Sequence, residues 1–273
     1  MYLIVPMAGL GTRFQKVSDQ NQNYKKPKPL IPVHNYPMIR WATGSLPFVN
    51  YSGQESNSNI KVDPSHLIFI ILNEHDKEYN LERELREIYS DDIKVIKLDN
   101  VTRGAAETAY YAKKIVDPNE DIIVSDSDHF FDGKGLEQAI LTKTVDTMGI
   151  IPVFVPPNDG IPRWSYSLVH PGSNYIEQVG EKDVELMKKG ALANIGAYYF
   201  SKAGMFFSEV EEVIAKNEMT GEEGKKEFYI APLYQRLITK GFKIQAVKIP
   251  EVWGLGTPTD LEYFLTNCSR IHP

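Results

Sequence analysis

The sequence predicts an α/β fold: three layers, α/β/α, around a central mixed, mostly parallel sheet. Two observations carry that expectation. In the first half, short apolar runs rich in β-branched residues alternate with amphipathic stretches, the pattern of parallel strands joined through helices. In the second half, apolar runs follow one another with little helix between, which predicts antiparallel strands added to the same sheet.

Taken in order, "YLIVPM", "HLIFIIL", "IKVIKL" and "DIIVSD" read as buried strands. Between them "DKEYNLERELREIY" has helical spacing, with Tyr79, Leu81, Leu85 and Ile88 near one face, and "AAETAYYAKKIV" is a second helix. "MGIIPVFV", "SYSLVH", "YIEQVGE" and "NIGAYYF" are the added strands. "EFYIAPLYQRLITKG" is read as a helix ending at Gly241, followed by the strand "FKIQAVKI". "TPTDLEYFLTNC" is a final helix with Thr257 as N-cap and Pro258 at its first position. Polar stretches 50–66, 156–163 and 217–226 are expected loops, and none is long enough to divide the chain.

The 273 residues are 42% hydrophobic and 24% charged, enough for a sizeable core. A net charge of −6 does not recruit nucleic acid or an acidic membrane surface. The one cysteine, Cys268, cannot form an intrachain disulfide. The apolar opening lacks a basic leader and no run reaches membrane-spanning length. A cytoplasmic protein is expected; the oligomeric state is not legible.

The first strand runs into "AGLGTRF". A loop there lies at the carboxyl edge of a parallel sheet, where such folds bind ligands. Gly9 and Gly11 let backbone N–H groups approach a phosphate, and Arg13 adds a cationic fork. The pattern is neither GxGxxG nor a P-loop. By itself it is equally a tight βα turn. In "KPKPLIPV", Lys28 is fixed between Pro27 and Pro29 and loses little freedom on holding a phosphate. "DIIVSDSDHFF" sets Asp126 and Asp128 two residues apart, so on extended backbone both carboxylates face one way. At the carboxyl edge that pair suits Mg²⁺; His129 is read as structural.

"AGLGTRF … KPKPLIPV", with "RGAAETA", "SDSDHFF", "RWSYSLV", "VGEK", "NIGAYYF" and "WGLGTP" in that order, resembles the sugar-1-phosphate nucleotidylyltransferases, and within them the bacterial branch associated with capsule and surface polysaccharide. The resemblance covers nearly the whole chain. It implies a nucleotide-diphospho-sugar transferase, Rossmann-like fold as a single domain, 1–145 mainly for nucleotide and 146–273 mainly for the sugar phosphate. It further implies transfer of NMP from a nucleoside triphosphate to a sugar 1-phosphate, with Mg²⁺ and release of pyrophosphate. Ala8, Gly9, Leu10, Gly11, Thr12, Arg13, Lys28, Gly104 and Ala105 would take the nucleotide. Asp128 would bind metal with Asp126 in support. Glu181, Lys182, Asn194 and Gly196 would take the acceptor, with Trp164 and Tyr166 as pocket walls. Arg13, Lys28, Lys182 and Asp128 would then converge as the catalytic group.

One position departs from that family's pattern. Gly254 stands where a second metal-binding aspartate is often found. The nucleobase stays open among CTP, UTP, dTTP and GTP. A phosphorylated non-sugar acceptor, a metal-dependent glycosyltransferase using an NDP-sugar and a non-catalytic nucleotide sensor are the alternatives. The polar segment 15–27 is expected to act as a lid.

Overall fold

The computed structural model describes residues 1–221, 224 and 226–273. Residues 222, 223 and 225 of the expected 217–226 loop lie outside the described residues. The strands are β1 (Tyr2–Pro6), β2 (Pro32–Val33), β3 (Tyr36–Pro37), β4 (Leu67–Leu72), β5 (Lys94–Leu98), β6 (Ile122–Ser125) and β7 (His129–Phe131). They continue with β8 (Thr147–Phe154), β9 (Ser165–Val169), β10 (Ile176–Glu181), β11 (Leu192–Asn194), β12 (Ala197–Phe200), β13 (Lys243–Lys248) and β14 (Val252–Gly254).

One sheet runs β10-β9-β11-β8-β12-β6-β1-β4-β5, with β13 added beside β8. β6, β1, β4 and β5 are parallel. The strands from β12 outward pair antiparallel, except that β13 runs parallel to β8. The expected mixed, largely parallel sheet is therefore what forms. Every residue of β4 is buried, as a strand covered on both faces requires. At the sheet's edge β5 exposes Lys94 and Lys97, charges that discourage pairing with another strand.

Two large apolar clusters form the core, one built around Ile4, Ile70, Val124 and Phe200, the other around Leu3, Phe69, Ile123 and Tyr199. Neighbouring strand residues alternate between them, as side chains on successive positions must. A third cluster, Phe14, Tyr24, Trp41, Phe130, Leu255 and Phe264, ties the glycine-loop segment to the C-terminal helix.

Most expected elements form, with instructive differences. The helix read across residues 76–89 is two helices, Asn73–Tyr79 and Leu81–Ile88, broken where Asn80 adopts a left-handed conformation at φ 52°. "AAETAYYAKKIV" tightens after Tyr110 into a 3₁₀ turn. "NIGAYYF" is split at Ile195 and Gly196 between β11 and β12. The helix read from Glu227 begins only at Ala231. Thr257 caps the last helix as expected, its hydroxyl accepting from the Asp260 N–H. A helix at Ala203–Ala215 buries Phe206, Val210 and Val213, a spacing that the strand-rich reading of this half overlooks.

Candidate active site

The glycine loop lies where expected, beyond the carboxyl end of β1. Gly11 has φ 66°, a left-handed conformation that a side chain would strain, and it turns the chain into the short helix Thr12–Gln15. Among the described residues, no acceptor takes the N–H groups of Gly9, Leu10, Gly11 or Thr12. Leu10, Thr12 and Arg13 are exposed at this edge, and Ala8 is buried beneath it.

Lys28 opens a 3₁₀ turn whose following residues, Pro29 and Leu30, are buried and fix its stem. A Cβ on Gly11 would lie 3.6 Å from the Lys28 Cβ, so the two motifs pack directly. Lys28 Nζ donates to Asp128 Oδ2 at 2.7 Å. Burial works to raise the Asp128 pKa, and the Lys28 ammonium overrides it, with a smaller contribution from Arg13; the net direction is downward. Asp126 goes the other way: burial, with the Asp128 charge second, pushes it up to about 7.

Asp126 is pinned by its own backbone, its N–H donating to the Gly196 carbonyl at 2.7 Å. A Cβ on Gly196 would fall 1.9 Å from Asp126 Oδ2, so the glycine is what admits the carboxylate. A ring nitrogen of His129 lies within 4.8 Å of oxygens from both aspartates. Burial pushes the imidazole down to about 4, leaving it neutral. Two carboxylates at a strand end, with room left for one of them, are a donor set that fits a divalent cation.

On the acceptor side, β10 delivers Glu181 opposite Ser165 of β9, and the Ser165 hydroxyl donates to the Glu181 carboxylate. Burial raises the Glu181 pKa. Lys182 follows at φ 50°, its N–H donating to the Trp164 carbonyl at 2.9 Å and its Nζ to the Tyr229 hydroxyl at 3.3 Å. Burial works against the Lys182 charge; Tyr229 and the carboxylates of Glu181 and Glu227 outweigh it, and its pKa rises. Asn194 is buried, its Oδ1 taking the Ser167 hydroxyl at 2.7 Å and its Nδ2 left without a partner among the described residues.

The segment Glu227–Tyr229 joins the two sides. Phe228 N–H donates to the Arg103 carbonyl at 2.8 Å, and the Phe228 carbonyl accepts the Ala106 N–H at 2.9 Å. A Cβ on Gly104 would fall 2.6 Å from that Phe228 backbone. The turn carrying Gly104 and Ala105 is thus braced by the residue next to Tyr229.

Three expectations need correction. Tyr166 is 0% exposed and packs with Leu186, Ala191 and Ala193, so its ring is core and not a pocket wall. Trp164 is partly exposed and meets Phe154 edge to face at 5.4 Å. Segment 15–27 is not a free lid: Phe14 and Tyr24 are buried in contact with each other, and residues 22–25 form a 3₁₀ turn. Lys182 turns to Tyr229 and not to the Lys28–Asp128 pair. Tyr229 itself has no local signal, because its stretch reads as helix.

A groove of about 1270 Å³ on another face shares no residue with this edge. Within it, Arg86 pairs with Glu82 and Arg83 with Glu87.

No family model and no curated relative matches the chain, but solved structures do. A nucleoside-diphosphate-sugar pyrophosphorylase from Vibrio cholerae RC9 is 26% identical, with 97% of this chain and 100% of that one covered and a TM-score of 0.71. A Bacillus anthracis protein described as a glucose-1-phosphate thymidylyltransferase, in complex with a sucrose, is 17% identical, with coverage of 97% and 94% and a TM-score of 0.67. The inositol-1-phosphate CTP transferase from T. maritima is 13% identical, with coverage of 98% and 97% and a TM-score of 0.65. The last two bear on the fold alone. The chain has the nucleotidyltransferase α/β fold, and the similarity is to enzymes of that kind.

Proposed function

We propose that this protein is a nucleotidylyltransferase that moves NMP from a nucleoside triphosphate to a sugar 1-phosphate and releases pyrophosphate. The observation that carries the reading is the Lys28–Asp128 pair at 2.7 Å, set against the glycine loop with Asp126 alongside. A lysine and an acidic pair at the carboxyl edge are what a triphosphate and its counter-cation require.

A phosphate oxygen of the acceptor attacks the α-phosphorus, and pyrophosphate leaves in line. That nucleophile is anionic at neutral pH, so no general base is needed. The obstacle is repulsion between two polyanions, and the remedy is positioning plus cationic stabilisation. The unpaired N–H groups of Gly9 to Thr12 and the Arg13 guanidinium receive the triphosphate. Lys28 stabilises the transferring and leaving phosphates. Glu181 and Asn194 take acceptor hydroxyls, Gly196 leaves room beside them, and Lys182 holds the acceptor phosphate. Asp126 and Asp128 would hold Mg²⁺, which when bound offsets phosphate charge. Residues 1–145 serve mainly the nucleotide and residues 146–273 mainly the acceptor.

Capsule or surface-polysaccharide precursor synthesis is the role that the sequence resemblance supports. No helix among the described residues is long and apolar enough to cross a membrane, in keeping with a cytoplasmic site of action. A matrix of CTP, UTP, dTTP and GTP against sugar 1-phosphates and phosphorylated polyols, read by pyrophosphate release with Mg²⁺, tests the proposal. Release with one sugar 1-phosphate is expected. Release only with a polyol phosphate would move the acceptor class. Nucleotide binding with no release from any pair would overturn the reading.

A further inference from the structure

We propose that His129 is a third protein ligand, with Asp126 and Asp128, to the divalent cation of this site, and that its nitrogen makes the centre prefer Mn²⁺ to Mg²⁺. The inference rests on the reading that the two aspartates hold a cation, and adds to it a ligand that the sequence reading treats as structural.

Three observations point to it. One ring nitrogen of His129 and one oxygen from each aspartate all lie within 4.8 Å of one another. Ligands to a common ion at ordinary bond lengths stand roughly 3–4 Å apart, so modest side-chain rotations close the set. His129 is 7% exposed, and its Nε2 has no hydrogen-bond partner among the described residues. A buried polar nitrogen without a partner is costly and uncommon, and a ligand is one way to satisfy it. The register of the small ladder supplies the third observation: His129 pairs with Gly254 across β7 and β14. Cross-strand neighbours share a face, and Gly254 brings no side chain to occupy the imidazole.

The donor chemistry sets the preference. Mg²⁺ takes hard oxygen ligands and keeps its waters, whereas imidazole nitrogen favours first-row transition ions. Mn²⁺ accepts both carboxylate and imidazole. An ion taking the Asp128 Oδ2 would displace the Lys28 ammonium that holds it, leaving that ammonium free for phosphate.

The test uses the full chain with Mn²⁺, alone and with inorganic pyrophosphate, a product that contains no nitrogen. Pulsed electron paramagnetic resonance of the bound Mn²⁺ should show ¹⁴N coupling of directly bound imidazole. His129→Gln should abolish that coupling and weaken Mn²⁺ binding about tenfold or more, while Mg²⁺ competition changes much less. Asp128→Asn, which keeps all six histidines, should lose the bound signal. Mn²⁺ bound without nitrogen coupling, coupling that survives His129→Gln, or no Mn²⁺ binding would each overturn the proposal. If His129→Gln does not fold, the wild-type spectrum with the Asp128→Asn control decides. Pyrophosphate release with Mg²⁺ but no nitrogen coupling to Mn²⁺ removes this inference and leaves the enzymatic reading standing. Nitrogen coupling without turnover does the reverse.

Discussion

Lys28 and Asp128 are 100 positions apart in sequence and 2.7 Å apart in the folded chain. Their pairing holds the edge together before any substrate arrives. If Asp128 holds a cation as proposed, the same lysine would compete with it for that carboxylate, and binding the cation would free the ammonium for phosphate.

Removing the two partners should therefore act alike on turnover and oppositely on ion binding. Lys28→Ala should lower turnover by about 10²–10³-fold, the scale of losing one preorganised charge donor. It should also bind Mn²⁺ alone several-fold more tightly, since the competing ammonium is gone. Asp128→Ala should lose a similar factor in turnover and lose the cation as well. Pyrophosphate release and Mn²⁺ titration read both; near-wild-type turnover in either variant removes that residue from the mechanism.

Tyr229 offers a finer probe. Its hydroxyl accepts from Lys182 and its ring lies under the same ammonium, 5.4 Å from centroid to nitrogen. Tyr229→Phe keeps the ring and deletes the hydroxyl. The expected result is an acceptor KM raised by about tenfold, the scale of one hydrogen bond to a charged group, with the KM for the nucleotide unchanged. Equal shifts in both KM values would mean that Tyr229 acts through the Phe228 brace on Gly104, not through Lys182.

Gly196 is a steric requirement, and one substitution exposes it. In Gly196→Ala the new Cβ would meet Asp126 Oδ2 at 1.9 Å, a clash that a short, half-buried carboxylate cannot absorb in place. A stability loss of about 1–3 kcal/mol is expected from such overpacking, with loss of Mn²⁺ binding. Gly9→Ala is the matched control, since a Cβ there has no neighbour within 4 Å. Thermal unfolding of the two variants should separate them; equal melting temperatures would show that Asp126 moves aside at no cost.

Much of this was legible because its causes are local. The β-branched runs of β1, β4 and β6 and the Thr257 cap depend on residues within one element, and each forms as read. The proline-fixed Lys28 likewise carries its geometry with it, whereas Asp126 and Asp128 come together across a bend between β6 and β7 and not on the extended backbone that the spacing suggests. What was not legible depends on distant partners. The β7–β14 ladder joins Phe131 to Val252 and His129 to Gly254, and no pattern in either segment announces the other. Tyr166 and Trp164 are two residues apart on one strand entry, yet one is sealed in a cluster and the other partly open. Aromatic identity alone does not separate those fates: Tyr166 lies within the Leu186–Ala191–Ala193 cluster, and Trp164 packs only at its edge.

Away from the active site, Lys97 should contribute to the acid limit of stability. Its ammonium meets Asp76 at 2.6 Å and Glu82 at 2.7 Å, bridging β5 to the two helices that follow β4. Burial acts to raise Asp76, but Lys97 and the Glu82 N–H hold it below the usual carboxylate range; Lys97, with Arg86, holds Glu82 below it too. A carboxyl whose folded pKa is depressed stabilises the fold above its unfolded value, because the unfolded chain binds protons first. That contribution is lost as pH falls through the folded values, below about pH 4. Urea midpoints should accordingly fall on acidification through that range. Lys97→Met should lower the midpoint at pH 7 and flatten the acid slope, the two curves approaching one another at low pH. A variant whose slope matches the wild type would place the acid-sensitive groups elsewhere in the molecule.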